Sequence, residues 1–117
     1  MRFMTLVKYD ENGTPPPRAY LDALAQFGRA ATAAGAMVER GGLQPSGTGS
    51  RIRLSNGKVT VTDGPFTEVK ELIGGYAIYD VRSKQEAIEW ITRFVGLSKE
   101  HWPEWECEVE IRQILEG

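Results

Sequence analysis

The chain has 117 residues, of which 41% are hydrophobic and 26% charged, a composition typical of one globular domain over residues 1–117. Its formal net charge is -2 without any basic block, which disfavours nucleic-acid binding through phosphate contacts. No apolar run approaches the roughly 20 residues that span a bilayer, and the N-terminus lacks a signal-peptide pattern. We therefore expect a cytoplasmic protein. Its single cysteine, Cys107, excludes an internal disulfide and a multi-cysteine metal site.

The first predicted elements are a strand and a helix. Residues Phe3 to Tyr9 alternate as in a strand and carry apolar side chains on both faces, which indicates cover on both sides. Thr14 is the predicted helix cap, and Pro15 to Pro17 suit the first turn, where a missing N–H costs little. Apolar residues then recur at helical spacing until Gly35, which we expect to end the helix in a left-handed conformation.

The middle of the chain predicts short strands and loops. Ala36 to Glu39 reads as a short strand, and Gly41 to Ser50 is a glycine-rich loop. Two alternating runs follow, Arg51 to Leu54 and Lys58 to Thr62. The Asn56-Gly57 pair between them predicts a two-residue hairpin turn, which sets the register of the two strands.

The last third of the chain predicts a strand, a helix and a strand. Tyr76 to Val81 is the first strand. Ser83 then opens a helix with Glu86 completing a capping box, and we expect Gly96 to end that helix. Glu106 to Gln113 alternates strictly between apolar and charged residues, which is typical of a strand with one face in water.

The predicted order is β-α-β-(hairpin)-β-α-β, an α+β class. With the hairpin set aside, it is the ferredoxin-like arrangement, with two helices on one face of an antiparallel sheet. Two helices cannot cover the second face as well, although the first strand is apolar on both sides. We therefore expect a homodimer in which a second copy covers the open sheet face.

One segment near the middle concentrates the chemistry of the chain. It reads Asp63-Gly64-Pro65-Phe66 and continues with Glu68, Lys70-Glu71 and Gly74-Gly75. This pattern resembles the DGPF-motif branch of the YCII-related proteins, a dimeric α+β barrel superfamily. Three further segments carry the same resemblance: Gly42-Leu43-Gln44-Pro45, Glu86-Ala87-Ile88-Glu89-Trp90 and Glu108-Val109-Glu110-Ile111-Arg112.

The resemblance implies a dimeric barrel of ferredoxin-like subunits with a pocket and no settled reaction. Members also occur beside, or fused to, extracytoplasmic-function sigma factors, which implies a regulatory setting.

Some YCII-related proteins resemble enzymes with a His–Asp pair. The only histidine here, His101, lies outside the first helix, in a predicted irregular connection over Leu97 to Glu104. Because Trp102 and Trp105 flank it, we interpret His101 first as a packing residue and second as a catalytic one.

Asp63 and Lys70 are the candidate catalytic residues. The structural interpretation of Asp63 is a turn residue that accepts local N–H bonds, while Gly64-Pro65 sets the chain direction. The functional interpretation is a general base or ligand anchor at the mouth of a half-barrel. Lys70 beside it would keep the carboxylate ionised and favour an anionic substrate. The two interpretations are compatible, because strained turns gather at functional sites.

The candidate substrate-binding residues are Gln44, Ser46, Phe66, Glu71 and Tyr76. Gln44 and Ser46 lie on the glycine-rich loop and can orient a substrate by hydrogen bonds. Phe66 is also a plausible core residue, Tyr76 fits a pocket wall or the core, and Lys70-Glu71 fits a solvated pair. We expect no metal, since one histidine and one cysteine supply too few strong ligands. We also expect no organic cofactor.

Three hypotheses follow from the sequence. The first is a cofactor-independent enzyme for proton transfer, isomerisation or hydrolysis of a small molecule. The second is a regulatory or ligand-sensing module linked to transcription by the sigma-factor association. The third is a structural oligomer in which the Asp63-Gly64-Pro65-Phe66 turn only shapes an interface.

Overall fold

The computed structural model describes residues 1–11, 13–68 and 72–116. Within them lie two helices and six strands: β1 (Arg2–Tyr9), α1 (Arg18–Ala33), β2 (Met37–Gly42), β3 (Ser50–Ser55), β4 (Lys58–Asp63), β5 (Ile73–Asp80), α2 (Lys84–His101) and β6 (Cys107–Gln113). A short 3-10 turn occupies Ser46–Thr48. The predicted element order and the α+β class are confirmed. Neither described helix is both long enough and apolar enough to cross a membrane.

The sheet has the ferredoxin-like strand order. Its four strands run in the order β2-β5-β1-β6, and every neighbouring pair is antiparallel. The central strand β1 pairs Phe3 with Tyr79 of β5 on one side and with Gln113 of β6 on the other. Strands β3 and β4 form a separate two-stranded hairpin.

Both helices lie on one face of the sheet, and the core fills the space between them. Phe3 and Tyr79 are adjacent in the register and are only 2% and 1% exposed. Thr5, two residues along the same face, is also buried and donates its hydroxyl to the Ala77 carbonyl at 3.2 Å. Burial of each large apolar side chain stabilises the fold by about 1.5–3 kcal/mol before entropic costs. The predicted burial of β1 is therefore confirmed for the face under the helices, and cover of its other face stays a prediction.

Helix α1 begins later than predicted. It starts at Arg18 after Pro17, and no side chain caps it, so the prediction that Thr14 is the cap is wrong. The physical reason is the run of prolines: residues 14, 15 and 16 each precede a proline, which pushes them towards extended backbone. The end of the helix agrees with the prediction, because Gly35 has a φ of 74°.

Helix α2 is capped as predicted but runs further. The Ser83 hydroxyl accepts the Glu86 N–H at 3.1 Å, while the Glu86 carboxylate accepts the N–H of Arg82 rather than that of Ser83. The prediction that Gly96 ends the helix is wrong, because α2 continues to His101. A glycine inside a helix costs about 1 kcal/mol, and the buried Ser98 and half-buried Leu97 in the following turn offset that cost by packing.

The hairpin of β3 and β4 has the predicted turn and an exposed apolar face. Asn56 and Gly57 have φ angles of 52° and 75°, as a type I′ turn requires. Directly paired side chains share a face, and on one face these pairs are Ile52 with Val61 and Leu54 with Val59. All four are 63–73% exposed: Ile52, Leu54, Val59 and Val61. The hairpin therefore presents an apolar surface to solvent.

Candidate functional site

A cavity of about 710 Å³ lies between the sheet and the first half of α1, and its size suits a small organic molecule. Strands β1, β2 and β5 form its floor, and α1 forms its roof. The chain after α2 closes one side. Aromatic side chains dominate the wall; among them are Tyr9, Tyr20, Phe27, Tyr79, Trp102 and Trp105.

Two tryptophans after α2 form the closed side of this cavity. The rings of Trp102 and Trp105 are stacked, with centroids 4.7 Å apart and planes only 7° apart. Tyr20 of α1 contacts both rings, at 5.2 and 5.8 Å, and Tyr9 of β1 meets Trp105 edge-on at 5.4 Å. Such pairs add about 0.5–1.5 kcal/mol each to the burial of the rings. They join β1, α1 and the segment after α2 into one aromatic wall.

Gly74 makes room for the floor of the cavity. A β-carbon at Gly74 would overlap the ring of Tyr9, so this ring lies directly against the backbone of β5. Gly75 also approaches a backbone closely, with the carbonyl oxygen of Gly41 3.3 Å from where its β-carbon would be. Both glycines of the Gly74-Gly75 pair thus permit close approach, of a ring at Gly74 and of another backbone at Gly75.

Arg40 is the positively charged residue of the cavity wall among the described residues. Its register partner is Ala77, which packs on the core, so the Arg40 side chain leaves β2 on the helix side. The guanidinium lies over Gly28 of α1, where any β-carbon would overlap it. Within the described part of the chain, Arg40 has no ion pair. Its charge also acts on Tyr79: burial raises the pKa of Tyr79 to about 12, and Arg40 opposes part of that rise.

The Asp63-Gly64-Pro65-Phe66 segment is attached to the rim of the cavity through Ser46. Glu11, which borders the cavity, accepts the Ser46 N–H at 2.6 Å and the Ser46 hydroxyl at 2.8 Å. The Ser46 oxygen in turn accepts the N–H of Phe66 at 3.3 Å. Gly64 packs so closely on the Ser46 carbonyl that a β-carbon there would overlap it. The predicted residues Ser46 and Phe66 are thus brought together, as parts of a supporting network.

Asp63 lies at the exposed end of β4 and does not border the cavity. Its carboxylate accepts the hydroxyl of Ser50, its partner in the hairpin register, at 2.7 Å. Nearby, the Arg51 guanidinium lies 4.0 Å from the centre of the half-buried Phe66 ring and donates to Glu68 at 2.7 Å. The hydrogen bond from Arg51 lowers the pKa of the Glu68 carboxyl. These contacts form a charged surface cluster on the hairpin base.

The other predicted site residues are dispersed. Gln44 is exposed and does not border the cavity. Tyr76 borders it, but its register partners Leu6 and Gly41 place its ring on the open sheet face, where the ring packs over Gly41. Lys70 and Glu71 lie outside the described residues, so the proposed pairing of Lys70 with Asp63 stays a prediction.

His101 is the last residue of α2, which corrects its predicted place in an irregular loop. It is half-buried, lies 3.8 Å from the Glu100 carboxylate and does not border the cavity. Across the described ranges, no group of three or more His, Cys, Asp or Glu residues is placed to hold a metal ion.

Sequence reasoning did not single out Arg40, Glu11 or the tryptophan pair as site residues. The one available signal was the Trp102-Pro103-Glu104-Trp105 run, whose aromatic spacing is unusual for an exposed connection. Nothing in the sequence marked Arg40 as a site residue, because an arginine beside a predicted strand is usually interpreted as a solvated side chain. A glycine within a helical pattern, as at Gly28, indicates that another residue packs closely on the helix there, but it does not identify that residue.

Comparisons with known proteins agree with this architecture. A search of curated proteins found no match. The YCII-related domain matches residues 1–101, which run from β1 to the end of α2 and include the residues of the Glu11–Ser46–Phe66 network. Because this match covers most of the 117 residues, the chain belongs to the YCII-related domain family.

Proposed function

We propose that this protein binds a small organic molecule in the aromatic cavity, as a homodimer and without an organic cofactor. The observation that carries the proposal is the cavity itself, whose wall combines stacked tryptophans, tyrosines and an arginine that has no ion pair within the described ranges. Ligand sites are typically concave and mostly apolar, with a few polar groups that orient the ligand. Protein interiors are normally close-packed, so an open volume of this size favours a binding role.

Ligand binding fits the polar groups of the cavity better than acid–base catalysis does. Both carboxylate oxygens of Glu11 are occupied by Ser46. Asp63 faces solvent at the end of β4. A guanidinium is a fixed cation in proteins, so Arg40 suits electrostatic binding and not proton transfer. A ligand-sensing module is therefore the leading candidate, and an enzyme that uses Asp63 with Lys70 is the second.

Two surfaces support the proposed homodimer. The sheet face opposite the helices carries half-buried apolar residues along its centre, namely Met4, Leu6, Tyr76 and Ile78. The hairpin adds the exposed pairs Ile52–Val61 and Leu54–Val59. A stable dimer needs about 800 Å² of contact per partner, which neither an isolated hairpin nor a few half-buried side chains supplies alone. A second copy that covers both surfaces is the simplest occupant, and a sigma factor is the alternative partner.

The binding proposal is tested by following the tryptophan indole N–H signals in an NMR titration with phenylacetamide. The chain has three tryptophans, and Trp102 and Trp105 border the cavity whereas Trp90 packs against Phe27 and Arg93. We expect the first two signals to shift saturably while that of Trp90 stays in place. Unchanged signals of Trp102 and Trp105 up to millimolar ligand would overturn the proposal.

A further inference from the structure

Arg40 occupies an unusual position for an arginine on an edge strand. Its side chain is exposed to solvent, and it also reaches from β2 towards α1, where the guanidinium lies on the backbone of Gly28. A β-carbon at position 28 would overlap the guanidinium where it now lies, so the flexible Arg40 side chain would have to shift.

Arg40 carries a positive charge beside the cavity and has no ion pair among the described residues. No carboxylate in the described ranges pairs with it, whereas Lys8 and Arg51 have acidic partners at 2.9 and 2.7 Å. A guanidinium beside a cavity, with its N–H groups free, is a ready partner for an anion.

Resting on the proposed function, we infer that the ligand of the cavity is a small organic monocarboxylate with an aromatic or apolar body, and that Arg40 binds its carboxylate. The planar fork of a guanidinium matches both oxygens of a carboxylate at once. The remaining wall supplies aromatic surface for the ligand body.

The charges of the cavity wall favour a ligand with one negative charge over a phosphate. Arg40 is the one cationic residue among the described residues that border the cavity, while Asp10 and Glu11 border it as acids. A dianion would meet one positive charge and two carboxylates, and like charges in such a site cost free energy. A monoanion needs only the arginine.

The test compares phenylacetate with its neutral counterpart phenylacetamide, which differs only in the charge and donor pattern of the end group. We expect the wild-type protein to bind the acid at least about 10-fold more tightly than the amide in isothermal titration. In Arg40→Gln the preference should fall to about one, with amide affinity unchanged. A charged hydrogen-bonded pair accounts for this difference, since 1.4 kcal/mol corresponds to a factor of ten.

Two further variants keep the result interpretable. Gly28→Ala puts a methyl group where the guanidinium lies, so it should displace Arg40 and weaken acid binding at least 5-fold while favouring the helix. Arg53→Gln removes an exposed charge on the hairpin, away from the cavity, and should leave the preference intact. If the wild-type protein binds both ligands equally, the role of Arg40 is overturned and the binding proposal stands. If neither ligand binds, the proposed function itself fails.

Discussion

The Glu11 carboxylate binds Ser46 twice, accepting its backbone N–H at 2.6 Å and its hydroxyl at 2.8 Å. This contact joins residues 35 positions apart in the sequence and attaches the glycine-rich loop to the rim of the cavity. Through the same hydroxyl, Ser46 also holds the N–H of Phe66. The Asp63-Gly64-Pro65-Phe66 motif is thus supported by an acid that the motif does not contain.

Replacing Ser46 with alanine should destabilise the protein by about 1–3 kcal/mol. The change removes a charge-assisted hydrogen bond and leaves the Phe66 N–H without its acceptor, and unmade bonds of buried groups cost about that much. Urea unfolding followed by fluorescence measures the loss. Thr48→Ala, which removes an exposed hydroxyl bonded only to the Pro45 carbonyl, is the matched control and should cost less than about 1 kcal/mol. Equal effects of the two changes would argue against the network.

Asp63→Asn should leave stability within about 0.5 kcal/mol of the wild type. The side chain is exposed, and an asparagine oxygen can still accept the Ser50 hydroxyl. We also expect the affinity for phenylacetate to stay unchanged, because Asp63 does not border the cavity. Titration of wild-type protein and variant side by side checks this. A loss of binding above 10-fold in a folded variant would instead support the catalytic hypothesis for Asp63.

Gly74→Ala should destabilise the protein by about 1–3 kcal/mol, since its methyl group would overlap the ring of Tyr9. Gly47→Ala is the matched control: it has open space around it and no positive φ, so little change is expected. Thermal unfolding compares the two. The double change Tyr9→Ala with Gly74→Ala should show that the costs of the single changes do not add, because the clash is absent once the ring is gone. Strict additivity would contradict the close contact.

The stability of the protein should fall at alkaline pH. Burial raises the pKa of Tyr79 to about 12, above the value near 10 of an unfolded tyrosine. Between pH 10 and 12 the unfolded chain loses this proton while the folded protein retains it, so unfolding becomes easier as the pH rises. This stabilisation amounts to about 3 kcal/mol at most, from 1.36 kcal/mol for each pKa unit, and it is fully present below pH 10.

Urea unfolding at pH 9, 10 and 11 measures this dependence. Tyr79→Phe should reduce the slope without abolishing it, because burial also raises the pKa values of Tyr20 and Cys107. A Tyr79→Phe protein with the unchanged slope would show that this hydroxyl does not carry the effect.

The apolar face of the hairpin should contribute to dimer formation. Ile52→Lys combined with Val61→Lys places two like charges directly opposite each other on that face, which opposes burial against a partner. Light scattering after size exclusion should show the wild type at twice the monomer mass and the variant at the monomer mass. Thr60→Glu with Thr62→Glu puts two charges on the opposite face, across from Arg53 and Arg51, and should remain dimeric. A wild-type protein that is monomeric at high concentration would overturn the homodimer.

Features that depend on neighbouring residues could be predicted from the sequence alone. Asn56-Gly57 produces its turn because both residues tolerate positive φ, whatever lies around them. Ser83 caps α2 through an N–H only three residues away. The alternation after Cys107 identifies β6, because side chains in a strand point to opposite faces in turn. The element order and the family resemblance rest on signals of this kind.

Tertiary contacts decided the rest, including the site. Gly96 lies inside α2 because side chains in the turn that follows it are packed in the protein interior. Helix propensity alone does not predict this continuation of the helix. The prominent Asp63 faces solvent, whereas the inconspicuous Arg40 reaches the cavity, because Gly28 on a different element leaves room for it. Local chemistry thus determined where strands, turns and caps form. Only contacts between residues far apart in the chain determined which side chains enclose the cavity, since those contacts exist only after the elements have packed.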